Sequence, residues 1–170
     1  MGAVKRAGAG DGWETGMKRG FAIGIAAMLL AAPAAAGFED AARAFDAGDY
    51  QSAISEWRRL AEAGDAHAQA TLGGLYLVGT GVPLDTGRAA AWYRLAAAQG
   101  HATAQLNLGD LYARGLGVPR DLVEAYVWLG RAARQGRVWA QARQAEIAQA
   151  MTAEERARAD CRLAALVPDG

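Results

Sequence analysis

The strongest constraint on the fold is a segment that occurs twice in the chain. Residues 72–85 read LGGLYLVGTGVPLD, and residues 108–121, 36 positions later, read LGDLYARGLGVPRD. When 64–99 is aligned with 100–135, eighteen of the 36 positions are identical, and they include a tryptophan, a tyrosine, a proline and an aspartate. A fixed period of this size predicts a solenoid, in which copies of one small unit stack side by side.

Each unit is predicted to consist of two helices joined by an elbow. Gly79 is placed to take the left-handed conformation that ends a helix, and Pro83 prevents the helix from continuing. Asp85 follows, where its side chain can cap the second helix. Gly73 and Gly109 lie inside the first helices, so we expect a neighbouring helix to approach closely there. Apolar residues at helical spacing form one face of the first helix: Ala68, Leu72, Leu75 and Tyr76.

The pattern continues on both sides of the two copies in a less regular form. Residues 37–63 predict an N-terminal hairpin with a short turn at Gly48 and Asp49. Residues 136–170 begin as a third copy but lack the elbow, and Thr152 and Glu155 instead form a capping box that opens a final helix to about Leu166. Terminal units of a solenoid are expected to be atypical, because they cover an otherwise open core.

The repeated pattern A-Q-x-x-L-G-x-L-Y-x-x-G-x-G-V-P-x-D, followed by A-x-x-W and A-A-x-Q-G, resembles the Sel1-like repeat. The resemblance covers two full units, 64–99 and 100–135, and a half unit at 136–150, while 38–63 is similar to a tetratricopeptide unit. It implies an all-α, right-handed superhelical solenoid with a concave face. It also implies protein or peptide binding, often in bacterial envelope or signalling assemblies.

The first 36 residues are predicted to be a leader that contains a secretory signal peptide. Met17 is the expected start, with Met1 as the alternative. Phe21–Ala32 is an uncharged apolar run of 12 residues, and the small residues after it predict cleavage behind Ala36. The run is shorter than the ~20 residues that a membrane-spanning helix needs. We therefore expect a periplasmic or secreted protein, with an uncleaved anchor in the inner membrane as the alternative.

Composition and motifs give no sign of catalysis or of a nucleic-acid partner. The 18 basic and 18 acidic residues balance, so nothing favours nucleic acid. Ser52 and Ser55 have no histidine nearby in the sequence that could activate them as nucleophiles. His67 and His101 do not have the spacing of metal ligands, and both histidines are predicted to be surface residues at helix starts. The Gly-x-Gly at 79–81 lacks the strand and the lysine of a phosphate loop. We expect a non-catalytic protein without cofactor or metal.

Two other functions stay open at this stage. Some cysteine-rich relatives of the resembled family have been linked to β-lactam hydrolysis, but they carry a pair of cysteines per repeat and this chain has one cysteine in total. A structural protein bound to the peptidoglycan is the other alternative. The single cysteine, Cys161, is predicted to be a buried thiol beside Ala157 and Ala164, or else to link two chains in a disulfide. Three tryptophans are predicted in the core: Trp57, Trp92 and Trp128.

In a helical solenoid the first helices of successive units line the concave side. The residues outside the core stripe of these helices would point into the groove: His67, Thr71, Gly74, Val78, Thr103, Asn107, Asp110, Arg114, Trp139, Arg143 and Glu146. Among them we predict partner binding by Asn107, Arg114, Trp139 and Arg143, because tryptophan and arginine are enriched in binding hot spots. The asparagine would bond a peptide backbone and the arginines would take carboxylates. The alternative is an ordinary mixed polar face.

Overall fold

The structure is a computed structural model that describes residues 37–165, and every regular element in that range is a helix. This confirms the all-α prediction, whereas the predicted leader at 1–36 lies outside the described residues. Eight helices follow in order within the described range: α1 37–46, α2 Tyr50–Glu62, α3 Ala66–Val78, α4 Thr86–Ala98, α5 Ala102–Arg114, α6 Leu122–Arg134, α7 Val138–Ala150 and α8 Ala153–Ala164.

Aspartates 36 residues apart start the second helix of each hairpin. Asp49, Asp85 and Asp121 precede α2, α4 and α6, and each carboxylate accepts a hydrogen bond from the N–H three positions later, at 2.9 to 3.1 Å. The cap predicted at Asp85 is therefore confirmed. The predicted capping box is present as well, since Thr152 and Glu155 bond each other's backbone N–H at the start of α8. Helix starts in this fold are thus fixed by local side-chain chemistry.

The elbow uses its two glycines in different ways. Gly79 ends α3 with φ of 81°, in the left-handed conformation predicted for it. The second glycine is left-handed too, with φ of 69° at Gly117, and in addition it allows close approach between repeats, because a Cβ on Gly117 would lie 2.1 Å from the Thr86 carbonyl oxygen. The second elbow is thereby held against the backbone at the start of α4, and this contact requires a residue without a side chain.

The two helices of a repeat approach each other closely at a glycine. A Cβ on Gly73 would lie 2.7 Å from the Tyr93 ring, and a Cβ on Gly109 would lie 2.7 Å from Leu129 Cγ. The predicted close approach is therefore confirmed at both positions. In addition α4 packs on α5, and α6 on α7, so the second helix of each repeat also carries the next repeat.

A buried glutamine connects three helices in each full repeat. Gln105 is 1% exposed, and its Nε2 donates to the Ala97 carbonyl of the preceding second helix at 3.1 Å. Its Oε1 accepts from Gln135 Nε2 of its own second helix at 2.8 Å. Gln69 makes the same pair of bonds one repeat earlier. A buried amide is stable only when its polar atoms are paired, so these bonds fix the register between repeats.

The C-terminal unit departs from this arrangement. Only Met151 and Thr152 separate α7 from α8, and α8 packs on α6 instead of covering α7. It ends at Ala164, two residues before the predicted end. Three residues of α7 lie 36 positions after residues of α5 that α6 covers. No helix in the described range covers them in the same way, so they are exposed: Gln141, Ala145 and Gln149.

The predictions for the tryptophans hold in part. Trp57 is 4% exposed, as expected for the core. Trp92 and Trp128 are only half-buried at the edge of a core cluster. The reason is that the centre of the buried face lies one residue later in each second helix, at Tyr93 and Leu129.

The prediction that Cys161 is buried is wrong. Its thiol is exposed, because α8 turns Ala159 and Leu163 toward α6. A residue midway between two buried positions four apart points to the opposite side of a helix. The alternative, a disulfide that links two chains, stays a prediction.

We predict that Gln105→Leu lowers the free energy of unfolding by about 1–3 kcal/mol, because it removes two buried hydrogen bonds, to Gln135 and to the Ala97 carbonyl. The aligned change Gln141→Leu removes an exposed amide and should alter stability by no more than about 0.5 kcal/mol. Urea denaturation of both variants measures the difference. Equal effects would show that the buried glutamine does not hold the repeats together.

Candidate functional site

The first helices of three successive units share one face of the molecule. The His67 ring on α3 lies 5.0 Å from the His101 ring at the start of α5, centroid to centroid. Arg143 on α7 bonds Asp110 on α5. These contacts place α3, α5 and α7 next to one another, and we call their exposed residues the first-helix face.

Arg143 is held by two carboxylates on this face. Its Nε donates to Asp110 at 2.8 Å and its terminal nitrogen donates to Glu146 at 2.5 Å. The hydrogen bond to Asp110 and, to a smaller extent, the hydrogen bond to Glu146 raise the pKa of the Arg143 guanidinium, while partial burial lowers it. The side chain is therefore fixed in direction, and its charge is compensated within the protein.

Asn107 and Arg114 lie on the same helix but in different surroundings. Asn107 is half-buried. Burial raises the pKa of the Tyr93 hydroxyl, and the polar side chain of Asn107 opposes that effect. Arg114 is exposed in the last turn of α5 and forms no ion pair with any residue in 37–165. Of these two side chains, Arg114 is the one that solvent reaches freely.

Trp139 is 83% exposed at the start of α7, and its neighbour Val138 is 74% exposed. Both border a groove of about 350 Å³ between α5 and α7. Leu106 lines this groove and packs against the core below it. The structure thus brings Trp139 and Arg143 onto one helix face, one turn apart, and sets Asn107 and Arg114 on the neighbouring helix.

Sequence analysis missed how the first helices are capped, although the 36-residue period contained the signal. Asp65, His101 and Arg137 occupy the same repeat position, before α3, α5 and α7. Asp65 accepts from the Ala68 N–H at 2.8 Å, and His101 Nδ1 accepts from the Ala104 N–H at 3.2 Å. Arg137 has no acceptor and makes no side-chain cap. His67 is exposed, as predicted, whereas His101 is half-buried and serves as a cap.

The environment of His101 favours its neutral form. Burial lowers the pKa of its imidazole, the charges of His67 and Arg137 lower it further, and Asp65 acts in the opposite direction. The cap itself requires a neutral ring, because Nδ1 can accept a hydrogen bond only when it carries no proton. Protonation would therefore remove the cap and place a positive charge at the start of a helix.

Within residues 37–165 no group of three or more histidine, cysteine, aspartate or glutamate side chains is arranged to hold a metal ion. None of the helices in that range is both long and apolar enough to cross a membrane.

The hairpins, elbows and shared face define a helical-repeat solenoid. A family model, the Sel1 repeat, matches residues 66–101 and 102–136. The fold is similar to a Sel1 repeat protein from Oxalobacter formigenes, with a TM-score of 0.61 and 37% identity over 70% of this chain and 96% of that one. The chain therefore belongs to the Sel1 repeat family.

The fold is also similar to a protective antigen of uropathogenic Escherichia coli that displays an SLR fold, with a TM-score of 0.72 and 32% identity. That alignment covers 76% of this chain but only 29% of the antigen, so the chain spans less than a third of the antigen's length. No match was found among curated protein sequences.

We predict that stability falls as the pH drops from about 7.5 to 5.5, and that His101→Asp reduces this loss. The pKa of His101 is lower in the folded protein than its ordinary value of about 6.5, so the unfolded chain takes up the proton first. The stabilisation is therefore complete above the ordinary value and is lost as the pH falls through the folded value. Aspartate keeps a cap, as Asp65 does, without taking up a proton in this range.

Thermal unfolding at several pH values measures both proteins. The same pH dependence in the native protein and the variant would show that His101 is not the group responsible.

Proposed function

We propose that this protein is a non-catalytic adaptor or scaffold that binds a protein or peptide on the first-helix face, as the concave side of its solenoid. Sel1 repeat proteins typically serve as protein-interaction scaffolds, which supports this function. The observation that carries the proposal is that Trp139, which is almost fully exposed, and Arg143, whose side chain is fixed by Asp110, lie one turn apart on α7. Exposed aromatic and arginine side chains of this kind dominate binding energy in protein interfaces.

The geometry suggests a different role for each predicted residue. Trp139 offers a large apolar surface that is largely in water before binding. Arg143 is held between Asp110 and Glu146, so little conformational entropy is lost when a partner contacts it. Arg114 is the cation that can take a carboxylate without breaking an existing ion pair. Asn107, half-buried on α5, can offer its polar side-chain atoms to a peptide backbone.

We propose the bacterial cell envelope as the location, after export and cleavage behind Ala36. The support is the order of a basic start, an apolar run and small residues in the sequence before the folded part. The proposed units are an N-terminal hairpin at 37–63, two repeats at 64–99 and 100–135, and a partial repeat with its capping helix at 136–170. In an oxidising compartment the exposed Cys161 thiol is accessible for a disulfide between two chains, which non-reducing electrophoresis tests.

We predict that Trp139→Ala together with Arg143→Ala reduces partner capture by about tenfold or more, because hot-spot side chains are removed. The assay is quantitative pull-down from an envelope extract with the purified protein as bait. Circular dichroism should be unchanged, since Trp139 is exposed and Arg143 only half-buried.

The matched control is Leu95→Ala together with Arg158→Ala. These residues are also exposed, on α4 and α8, away from the first-helix face. The control should capture the same proteins as the native chain. If the double change on α7 leaves capture unaltered, the first-helix face is not the binding surface.

A further inference from the structure

The groove beside Trp139 has the features of a pocket for one large side chain. Its lining combines exposed and half-buried residues of α5, of α7 and of the turn that precedes α7: Thr103, Leu106, Gly136, Arg137, Val138 and Trp139. Val138 and Trp139 are the two most exposed large hydrophobic residues in 37–165. Leu106 is half-buried and packs against the core. Adjoining apolar surface of this kind on a folded protein indicates an interaction site.

The charge around the groove is not balanced. Arg137 lies on its rim, is exposed, and forms no ion pair with any residue in 37–165. Arg143, one turn beyond Trp139, is already compensated by Asp110 and Glu146. The uncompensated charge next to the apolar surface is therefore positive and belongs to Arg137.

We propose that this groove receives an apolar side chain from an extended partner segment in which Asp or Glu lies two residues from that apolar residue, with the carboxylate paired to Arg137. This inference rests on the proposed function and names its partner chemistry. In an extended segment, side chains two positions apart point to the same side at a spacing of about 6.6 Å, so a carboxylate two positions away is near the rim when the apolar side chain occupies the groove. A lysine or arginine in its place would be repelled.

Arg143 is not the residue that recognises a partner carboxylate. A partner carboxylate at Arg143 would have to displace Asp110 or Glu146 from hydrogen bonds of 2.8 and 2.5 Å. At Arg137 the same carboxylate displaces only water. Specificity for an acidic partner is therefore expected from Arg137, while Arg143 stabilises the surface beneath the partner.

A random peptide library displayed on phage, selected on the full-chain protein, tests this directly. We expect enrichment of peptides with a large aliphatic or aromatic residue two positions from Asp or Glu. Arg137→Glu should shift the enriched neighbour to Lys or Arg, and Trp139→Ala should abolish the apolar enrichment. Arg158→Glu changes the net charge by the same amount on α8 and should leave the acidic preference intact. In fluorescence anisotropy, an enriched synthetic peptide should bind Arg137→Glu at least about tenfold more weakly.

Retention of the acidic preference in Arg137→Glu, or no enrichment on the native protein, would overturn the inference. Failure of this partner chemistry and failure of the adaptor function give different results. If capture depends on Trp139 and Arg143 but peptide preference does not depend on Arg137, the adaptor stands and this partner chemistry is wrong. If neither capture nor peptide binding responds to any of these changes, both fail.

Discussion

The architecture depends on how closely the second helix of each repeat can approach the first. Gly73 and Gly109 leave room for the Tyr93 ring and the Leu129 side chain at distances that no Cβ would allow. That short separation brings the buried glutamines within reach of both neighbouring second helices. A glycine inside a helix costs about 1 kcal/mol relative to alanine, so close packing has to offset this cost. The close helix spacing thus depends on the missing side chains of Gly73 and Gly109, and the glutamine bonds then fix the register.

This packing leaves the first-helix face available for recognition. The buried residues of α3 and α5 turn toward the second helices, so the opposite sides of α3, α5 and α7 carry the exposed residues. Because rigid helices hold this face, its side chains are positioned before a partner arrives, as the Arg143 ion pairs illustrate. Within the described residues the molecule thus offers a shaped and charged surface, which agrees with a binding role.

Features that recur along the sequence could be predicted from it, because local chemistry determines them. The caps at Asp85 and Thr152, the left-handed Gly79 and the close approach at Gly73 all follow from residue type and the 36-residue period. Contacts between helices of different repeats could not be predicted, because they depend on how the units rotate relative to one another. The pairing of Arg143 with Asp110 is of this kind. Cys161 was misassigned because the side of α8 that meets α6 is not encoded in any repeat.

The central claim, that a missing Cβ sets the distance between helices, is tested most directly by comparing two adjacent glycines of α3. A Cβ on Gly73 would lie 2.7 Å from the Tyr93 ring, whereas a Cβ on Gly74 would make an ordinary contact of 3.5 Å with the Tyr93 hydroxyl. Gly73→Ala should lower the free energy of unfolding by about 1–3 kcal/mol, and Gly74→Ala should leave it unchanged or raise it by up to about 1 kcal/mol. Stabilisation by both substitutions in chemical denaturation would contradict the account.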